Sequence, residues 1–465
     1  MDYKKLKFKC GLEIHKQLSG KKLFCECPTI LRDDPHDILL IRALRAVAGE
    51  LGSIDEAAFY ESLKRREFNY EAYRDTNCLV EFDESPPNDL NMDALKVVLQ
   101  VCKILKCKIV DEIQVMRKTV VDGSNTSGFQ RTLMCGHDGF IETSKGKVRI
   151  GSICLEEDAA RRVRDEKNCV VFRLDRLGIP LIEIATEPDI KTAEHAKEVA
   201  EKLGMILKST GKVISGIGSI RQDVNVSIKN GNRVEIKGFQ DLRHMPTTIE
   251  YEIKRQLKGN VKKEVRRAEL DGTTSFLRPM PGASRMYPES DVKPIAITKE
   301  LLKSIEVPEL IDEKILRYEK EGLSAELARS LVKEGFNLED YEYRIDKKLI
   351  ANILVEIPKD MKSRLNVDYK FKDKDFRFVL EALSTNKITK DAVFDVMVDL
   401  AKGKIINLAS YQAADLNKLE KEIKELVKDK KELSIGALMG IIMTKYKGKC
   451  DGKTAASLIA KYKNA

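Results

Sequence analysis

A carboxylate and an imidazole stand two residues apart near the start of the chain. In the segment Gly11–His15, apolar and polar residues alternate, a pattern typical of a half-buried β-strand. Alternate residues of a strand project from the same face, so Glu13 and His15 are expected to lie side by side. A carboxylate oxygen and an imidazole nitrogen placed in this way could share a metal ion.

Further carboxylates occur in two other apolar segments. Ile153–Asp158 ends in three consecutive acidic residues, and Leu181–Glu187 places Glu183 and Glu187 on one side of an otherwise apolar strand. Burying an acidic side chain costs free energy unless a cation or a hydrogen-bond donor meets it. Oxygen ligands with one imidazole suit Mg²⁺ or Mn²⁺, which usually hold a phosphate as well. The alternative is that these carboxylates pair with nearby arginines, namely Arg161, Arg162, Arg173 and Arg176.

The clearest strand pattern runs from Ser219 to Lys237. Polar residues occupy the odd positions, apolar residues occupy most even ones, and Asn230-Gly231 marks a hairpin turn between the two strands. If the polar sets share one face, that face carries Arg221, Asp223, Asn225, Glu235 and Lys237. A face this densely charged predicts the floor of a site, although a solvent-facing sheet with cross-strand pairs would show the same pattern.

Cysteines near the N-terminus offer a second kind of metal site. Cys25 and Cys27 form a C-x-C motif, and Cys10 and Cys78 lie in the same region of the chain. Thiolates of this kind could hold a structural Zn²⁺ ion, although C-x-C without a clear second pair is a weak signal. Structural zinc is therefore kept as an open hypothesis.

A familiar phosphate-binding loop is not found. The segment Gly448–Thr454 resembles a P-loop, but three residues rather than four separate its glycines, and no apolar strand precedes it. Any ATP site must therefore be built differently.

Composition bounds the class of protein. The chain has 465 residues, 42% of them hydrophobic, and no apolar run of the roughly 20 residues that a membrane span requires. Its 10 scattered cysteines do not form the framework of a small secreted domain, so a reduced, cytoplasmic protein without a membrane segment is expected. The net charge is +9, and the residues from 401 onward contain 14 Lys against 7 Asp and Glu. This excess of positive charge in the tail indicates a polyanion partner, and the alternative is a solvated, lysine-rich helical surface.

The pattern changes along the chain from short strands and glycine turns to helix-period segments. Thr298, Ser324 and Ser434 each precede such a segment, where a helix requires an N-cap. The predicted class is α+β, with a mixed-sheet cradle domain, an all-helical domain and a small helical tail. The predicted boundaries are residues 1–295, 296–400 and 401–465.

Taken together, the motifs resemble the B/E family of tRNA-dependent amidotransferase subunits. The matching segments are Gly11–His15, Lys22–Pro28, Ile153–Ala160, Pro180–Asp189 and Val234–Lys237. Three further segments are similar to the archaeal E type rather than the B type: Cys78–Glu81, Ser124–Thr132 and Arg278–Asp291. The resemblance covers the first 290 or so residues most closely.

This resemblance implies a cradle that binds ATP, Mg²⁺ and the aminoacylated end of a tRNA. The implied catalytic and metal-binding residues are His15, Glu157 and Glu183 for Mg²⁺, with Glu13 and Asp223 for a second ion or for phosphate positioning. The implied phosphate-binding cations are Lys237, Arg278 and Arg285. The tail would contact tRNA, and its candidate residues are Lys445, Lys447, Lys449 and Lys453.

The implied activity is that of an ATP-dependent ligase that forms a carbon–nitrogen bond with glutamine as amido donor. ATP would phosphorylate the glutamyl side chain of Glu-tRNA(Gln), and ammonia would then displace phosphate to give Gln-tRNA(Gln). The sequence has no glutaminase or Ser/Lys amidase signature, so a partner must supply the ammonia. The resemblance implies that this partner is an asparaginase-like D subunit. The two subunits would form a heteromer, for example with two copies of each.

One departure from the family and two alternatives bear on this interpretation. The family usually has an inserted domain related to bacterial aspartyl-tRNA synthetases, whereas this chain runs directly from Arg266–Leu270 into Asp271–Thr273. A non-catalytic tRNA-binding scaffold is one alternative, and the presence of the acidic residues argues against it. The other is a B-type subunit that also serves Asp-tRNA(Asn), which the three E-type segments disfavour.

Overall fold

The computed structural model describes residues 1–48, 52–166, 169–216, 218–239, 241–259, 261–280, 286–412, 416–446, 450 and 452–463. The chain divides into two compact units, Met1–Leu310 and Ile311–Ala465. Strands and helices mix in the first unit, and the second is helical. The predicted α+β class is therefore confirmed.

Among the described residues, the strands lie in the first unit. They are β1 (Lys9–Gln17), β2 (Ile38–Arg42), β3 (Glu67–Ala72), β4 (Lys108–Ile109), β5 (Glu112–Ile113), β6 (Met116–Thr119), β7 (Phe129–Thr143), β8 (Gly146–Glu157), β9 (Arg161–Asp165), β10 (Cys169–Arg173), β11 (Pro180–Thr186), β12 (Ile220–Ser227), β13 (Val234–Phe239), β14 (Glu264–Ala268), β15 (Thr274–Pro279), β16 (Met286–Pro288) and β17 (Ile295–Ala296).

Five α-helices belong to the described part of the first unit. They are α1 (Glu56–Ser62), α2 (Met92–Ile104), α3 (Ala193–Ser209), α4 (Met245–Leu257) and α5 (Lys299–Lys303). The second unit contains α6 (Ile311–Lys320), α7 (Ala325–Lys333), α8 (Lys347–Ala351), α9 (Ile357–Leu365), α10 (Asp373–Ser384), α11 (Val393–Ala401), α12 (Leu416–Asp429), α13 (Ile435–Lys445) and α14 (Gly452–Lys463). A π-helical turn, Asn352–Glu356, joins α8 to α9.

The three predicted N-caps are confirmed. The hydroxyl of Thr298 accepts a hydrogen bond from a backbone N–H at the start of α5, and Ser324 and Ser434 do the same for α7 and α13. Each hydroxyl satisfies a backbone donor that the first helical turn leaves unpaired.

One large sheet organises the first unit. Its strand order is β15-β14-β13-β12-β1-β11-β8-β7-β6-β16, and β4 pairs with β7. The neighbours are antiparallel except for the parallel pair β13 and β14. A smaller sheet has the order β2-β3-β10-β9, and β17 pairs with β5.

The two faces of the large sheet differ in chemistry. Leu12, Ile14, Ile184 and Val224 point to one face and join the hydrophobic core, against which α2, α3 and α4 pack. Because side chains alternate along a strand, the residues between them project from the other face. That second face carries the charged residues.

The helical unit has two hydrophobic cores. One is formed by residues between Tyr318 and Val398, and the other by residues between Leu419 and Ile459. Of the described helices, none is both long and apolar enough to cross a membrane.

Candidate active site

Strand β1 lies at the centre of the polar face, between β11 and β12. In this register His15 is opposite Glu183 on β11, and Glu13 is opposite Asp223 on β12. Residues directly opposite each other in an antiparallel pair point to the same face. Three segments far apart in the sequence therefore deliver their carboxylates and the imidazole to one place.

The predicted face of the β12–β13 hairpin is confirmed by its register. Asn225 is opposite Glu235, and Val226 is opposite Val234. The polar residues of both strands therefore continue the face that β1 begins.

A cavity of about 560 Å³ opens on this face. We call it the active-site cavity. Its charged lining residues are Glu13, His15, Lys118, Asp122, Glu156, Asp158, Glu183, Arg221, Asp223, Arg233, Glu235, Lys237 and Arg278.

The first group of possible ligands is His15, Glu156 and Glu183, whose ligand atoms lie within 4.8 Å of one another. The Nε2 atom of His15 is 3.4 Å from a carboxylate oxygen of Glu183. Burial alone would lower the pKa of His15, but the hydrogen bond to Glu183 and the neighbouring carboxylates raise it. Burial opposes ionisation of Glu183, yet His15 and Lys118 hold its pKa well below the usual range.

Glu156 is held by three donors. Lys118 Nζ and Thr132 Oγ1 each donate to Oε1 over 2.6 Å, and Gln130 Nε2 donates to Oε2 over 3.1 Å. Burial and the negative charge of Glu183 nevertheless raise the pKa of Glu156. A second negative charge beside Glu183 is therefore unfavourable unless a cation offsets it.

The carboxylate that lies beside His15 and Glu183 is Glu156, whereas the predicted Glu157 lies elsewhere. Glu157 is the next residue on β8 and projects from the opposite face, where Arg131 Nη1 lies 3.2 Å from its Oε2 atom. Arg131 also contacts the buried Glu289 at 2.8 Å. The alternation could have shown this, because Ile153, Leu155 and Glu157 share one face and the first two are core residues.

The second group consists of Glu13, Asp223 and Glu235, also within 4.8 Å of one another. Lys237 Nζ donates to Asp223 over 2.6 Å and also forms an ion pair with Glu235. Burial and the charge of Glu235 raise the pKa of Glu13, and burial of Lys237 is outweighed by Asp223 and Glu235, which raise its pKa. The structure thus brings Glu13 and Asp223 together as predicted and adds Glu235.

Arg221 is fixed at the edge of the cavity by a buried carboxylate. Its Nη2 atom donates to Asp158 over 2.8 Å, and Gln17 donates to the same carboxylate over 2.6 Å. Asp158 is fully buried, and although burial favours its neutral form, Arg221 and Arg176 lower its pKa. Arg221 therefore presents a positioned positive charge.

The predicted phosphate-binding cations have different outcomes. Lys237 and Arg278 both line the cavity. Within the described part of the chain, Arg278 Nε is buried and has no hydrogen-bond partner. Arg285 lies outside the described residues.

Two of the four predicted tail lysines are described. Lys445 closes α13, is exposed, and pairs with Glu422 at 2.7 Å. Lys453 lies in α14. Lys447 and Lys449 lie outside the described residues.

The N-terminal cysteines form a third group, with Cys25, Cys27, Cys78 and Glu81 within 4.8 Å of one another. Cys25 Sγ lies 2.8 Å from Glu81 Oε1, and the backbone N–H of Cys78 donates to Glu81 Oε2 over 2.8 Å. Three thiols and a carboxylate give four ligands of types that Zn²⁺ binds, although Glu81 also pairs with the buried Lys22 at 3.3 Å. Cys10 is not part of this group and lies in the hydrophobic core.

The donor sets on the sheet fit hard divalent cations. The first group offers two carboxylates and one imidazole, and Mg²⁺ is commonly held by one or two carboxylates together with phosphate oxygens and water. His15 Nε2 faces Glu183, while its buried Nδ1 atom has no hydrogen-bond partner in the described part of the chain. The cations on the rim, Arg278 and Arg221, can meet an anionic ligand.

The first unit is thus an α+β cradle that carries two acidic groups and the cations Arg221, Lys237 and Arg278 on one sheet face. Residues 8–303 match the family model described as the GatB/GatE catalytic domain. The chain belongs to the GatB/GatE family.

Its relatives include archaeal proteins whose names describe them as the E-type subunit of glutamyl-tRNA(Gln) amidotransferase. The chain is 35% identical to that of Methanocaldococcus jannaschii, with 99% of each chain covered. It is 34% identical to that of Archaeoglobus fulgidus, covering 99% of this chain and 98% of the relative. It is 34% identical to that of Pyrobaculum neutrophilum, covering 97% of this chain and 98% of the relative.

The alignments are longer than the chain itself. The first of these spans 625 positions, whereas the chain has 465 residues. At least 160 aligned positions therefore carry no residue of this chain.

Proposed function

We propose that this chain is the subunit of a glutamyl-tRNA(Gln) amidotransferase that activates the glutamyl side chain with ATP and converts it to glutaminyl. The observation that carries the proposal is the single sheet face on which two acidic groups lie beside Lys237, Arg221 and Arg278. Phosphoryl transfer needs this combination, because its catalysis is mostly positioning and stabilisation of charge. The names of the relatives supply the substrate.

In the proposed first step, a carboxylate oxygen of the tRNA-linked glutamate attacks the γ-phosphorus of ATP. A new P–O bond forms, the bond to ADP breaks, and an acyl phosphate results. Ammonia then attacks the acyl carbon, inorganic phosphate leaves, and the nitrogen loses a proton to give the amide. Bound Mg²⁺ would neutralise the negative charge on the phosphate oxygens.

The side chains have separate roles in this scheme. His15, Glu156 and Glu183 would hold the metal, and Lys118 and Thr132 fix the orientation of Glu156. Asp223 and Glu235 position Lys237 for the transferred phosphoryl group, and together with Glu13 they would hold a second ion. Arg278 binds a phosphate oxygen through the guanidinium whose Nε has no internal partner among the described residues.

A partner that produces ammonia completes the proposal. The relatives are named as subunits, and this sequence contains no glutaminase or Ser/Lys amidase signature. We assign the ammonia supply to an asparaginase-like D subunit, in a cytoplasmic complex.

The proposal can be tested without that partner. The purified chain, ATP, Mg²⁺ and ammonium chloride should convert Glu-tRNA(Gln) to Gln-tRNA(Gln), as measured by chromatography of the released amino acid. Omission of ATP is the control. Failure to form glutamine at high ammonium concentration, with active substrate confirmed independently, would contradict the proposal.

A tRNA-binding role for the C-terminal tail gives a first prediction. A chain ending at Gln412 keeps Tyr411, whose hydroxyl donates to Asp399 over 2.6 Å within the preceding helical core. We expect its affinity for tRNA to fall by about tenfold or more at low salt, and the slope of log K against log salt to become shallower by roughly 0.9 for each lost phosphate contact. Filter binding at several salt concentrations measures both. Unchanged affinity in a truncated chain with normal circular dichroism would refute the role.

The cysteine group gives a second prediction, that the chain contains about one structural zinc ion. Metal analysis of the purified protein should show it, and Cys25→Ser should lose the zinc and lower the melting temperature by on the order of 5 °C or more. Cys169→Ser is the matched control, because Cys169 lies on β10 outside the group. Wild-type protein without zinc, after purification free of chelators, would rule out the site.

A further inference from the structure

A second cavity lies outside the active site, in the segment that connects β2 to β3. It has a volume of about 770 Å³, and we call it the hairpin cavity. Pairing of β2 with β3 ends at Arg42 and Phe68, and the cavity lies beyond that pair. It shares no lining residue with the active-site cavity. Its lining residues are Ile41, Arg42, Ala43, Leu44, Arg45, Ala46, Ile54, Phe59, Ser62, Arg65, Arg66 and Glu67.

The backbone on one side of the hairpin cavity has unused hydrogen-bonding groups. Residues 43–46 belong to no strand or helix, and none of their backbone N–H or C=O groups bonds to another described residue. Strand β2, which precedes them, is the first strand of its sheet and pairs with β3 alone among the described strands. An extended segment with open backbone groups can accept a further strand from another chain.

The walls of the hairpin cavity carry apolar side chains that the fold leaves exposed. Ile41 is 56% exposed, Phe59 is 52% exposed and Ile54 is 45% exposed, and all three line the cavity. Single apolar side chains scattered over a surface need no explanation, but several that line one concave surface are typical of a binding site.

The hairpin cavity is also positively charged. Its lining contains four arginines and one acidic residue, Glu67. Arg42 and Arg66 have carboxylate partners elsewhere in the chain, whereas Arg45 and Arg65 form no ion pair with any residue that the structure describes. The cavity therefore offers two guanidinium groups that can each bind a carboxylate.

From this arrangement we infer that the hairpin cavity binds an extended, acidic segment of a partner protein, which adds as a short strand along residues 43–46. The apolar side chains of the segment contact Phe59, and its carboxylates meet Arg45 and Arg65. The phosphates of a nucleic acid would accept from the arginines, but they would leave the open C=O groups and the apolar wall without partners. A second copy of this chain would bring the same arginines and hence repulsion.

The probe for this inference is a synthetic, end-blocked peptide in which valine and glutamate alternate over about eight residues, roughly 26 Å when extended. Fluorescence anisotropy measures its binding to the full chain. We expect saturable binding that weakens as salt is added, because the contact is partly ionic. A peptide of alternating valine and lysine should not bind. A peptide of alternating serine and glutamate should bind about tenfold more weakly, because it lacks the apolar contact.

Substitutions in the chain test the two kinds of side-chain contact. Arg45→Glu combined with Arg65→Glu should weaken binding of the valine–glutamate peptide about tenfold or more, because both charges are reversed beside carboxylates. The matched control is Arg74→Glu combined with Arg329→Glu, which makes the same change of charge at two exposed arginines outside the cavity and should leave binding unchanged. Phe59→Ser should weaken binding roughly tenfold by removing the apolar contact.

Strand addition has a signature of its own. A strand pairs with one neighbour through the backbone groups of every second residue. Two isomers of the valine–glutamate peptide, N-methylated either on the valines or on the glutamates, should therefore differ. One isomer should bind like the unmodified peptide, and the other about tenfold or more weakly, because it has lost the N–H groups that face residues 43–46.

The inference is overturned if the valine–glutamate peptide does not bind, if its lysine counterpart binds equally well, or if the two N-methylated isomers bind alike. Loss of tRNA affinity in the Arg45→Glu, Arg65→Glu variant with unchanged peptide binding would also overturn it, and would assign the surface to RNA. A wild-type dimer in analytical ultracentrifugation that Phe59→Ser dissociates would do the same in favour of a second copy of the chain. None of these measurements depends on the proposed function.

Discussion

Replacement of Glu183 by alanine is expected to abolish ATP-dependent formation of Gln-tRNA(Gln) while leaving tRNA affinity unchanged. Glu183 contacts His15 at 3.4 Å and Lys118 at 3.8 Å, and its ionised carboxylate is the centre of the first acidic group. Without it, the metal loses a ligand and the largely buried Lys118 loses part of its neutralisation. We expect turnover to fall on the order of 10³-fold or more, the scale seen when preorganised electrostatic stabilisation is removed.

The measurement for Glu183→Ala is steady-state formation of Gln-tRNA(Gln) with ammonium as nitrogen source, together with tRNA binding by filter assay. Glu201→Ala is a matched control, because Glu201 is a carboxylate on α3 outside the cavity. Turnover that survives in Glu183→Ala within tenfold of wild type would show that this group does not hold the catalytic metal.

The second large effect separates two adjacent glutamates. Glu156→Gln should lower turnover by roughly 10² to 10³-fold with little change in stability, because Glu156 faces the cavity and belongs to the first acidic group. Glu157→Gln should retain turnover and lose stability by roughly 2 kcal/mol, because it removes one buried charged partner of Arg131, which keeps Glu289.

The two variants are matched in chemistry and differ by one position on one strand. Activity assays and urea unfolding of both variants in parallel therefore decide between the two faces of the sheet. A catalytic defect in Glu157→Gln with normal activity in Glu156→Gln would invert the proposed roles.

Local sequence patterns were sufficient for β1, β12 and β13 and for their polar faces. The alternation in Gly11–His15 predicted that Glu13 and His15 share a face, and the hairpin pattern predicted the joint face of Asp223 and Lys237, which the registers confirm. The three N-caps were found in the same way, because a cap is defined by residues that are close in the sequence. The family was found from ordered motifs and is confirmed by the match over residues 8–303.

Long-range pairing was beyond the reach of local patterns. No local signal shows that β1 lies between β11 and β12, which alone brings Glu183 and Asp223 to the two sides of one strand. Lys118 and Gln130 were missed for the same reason: their contacts to Glu156 depend on the pairing of β6, β7 and β8. Glu156 itself could have been found, because the alternation of the buried Ile153 and Leu155 assigns Glu157 to the core side.

The alignments with the relatives contain positions that this chain lacks. At least 160 aligned positions lack a counterpart here, yet β14 and β15 form a closed hairpin in which Glu269 N donates to Thr273 O over 3.0 Å. The sheet therefore remains continuous on either side of residues 268–274, where sequence comparison with the family expected an inserted domain.

Phosphate release from ATP is the most direct test of the proposed chemistry. The purified chain with Mg²⁺ and ammonium chloride should be assayed with glutamyl-tRNA(Gln), glutamyl-tRNA(Glu) and uncharged tRNA(Gln). The account predicts release stimulated only by glutamyl-tRNA(Gln), because the carboxylate that accepts the phosphoryl group is the tRNA-linked glutamate. Equal stimulation by uncharged tRNA, or no stimulation by glutamyl-tRNA(Gln), would contradict it.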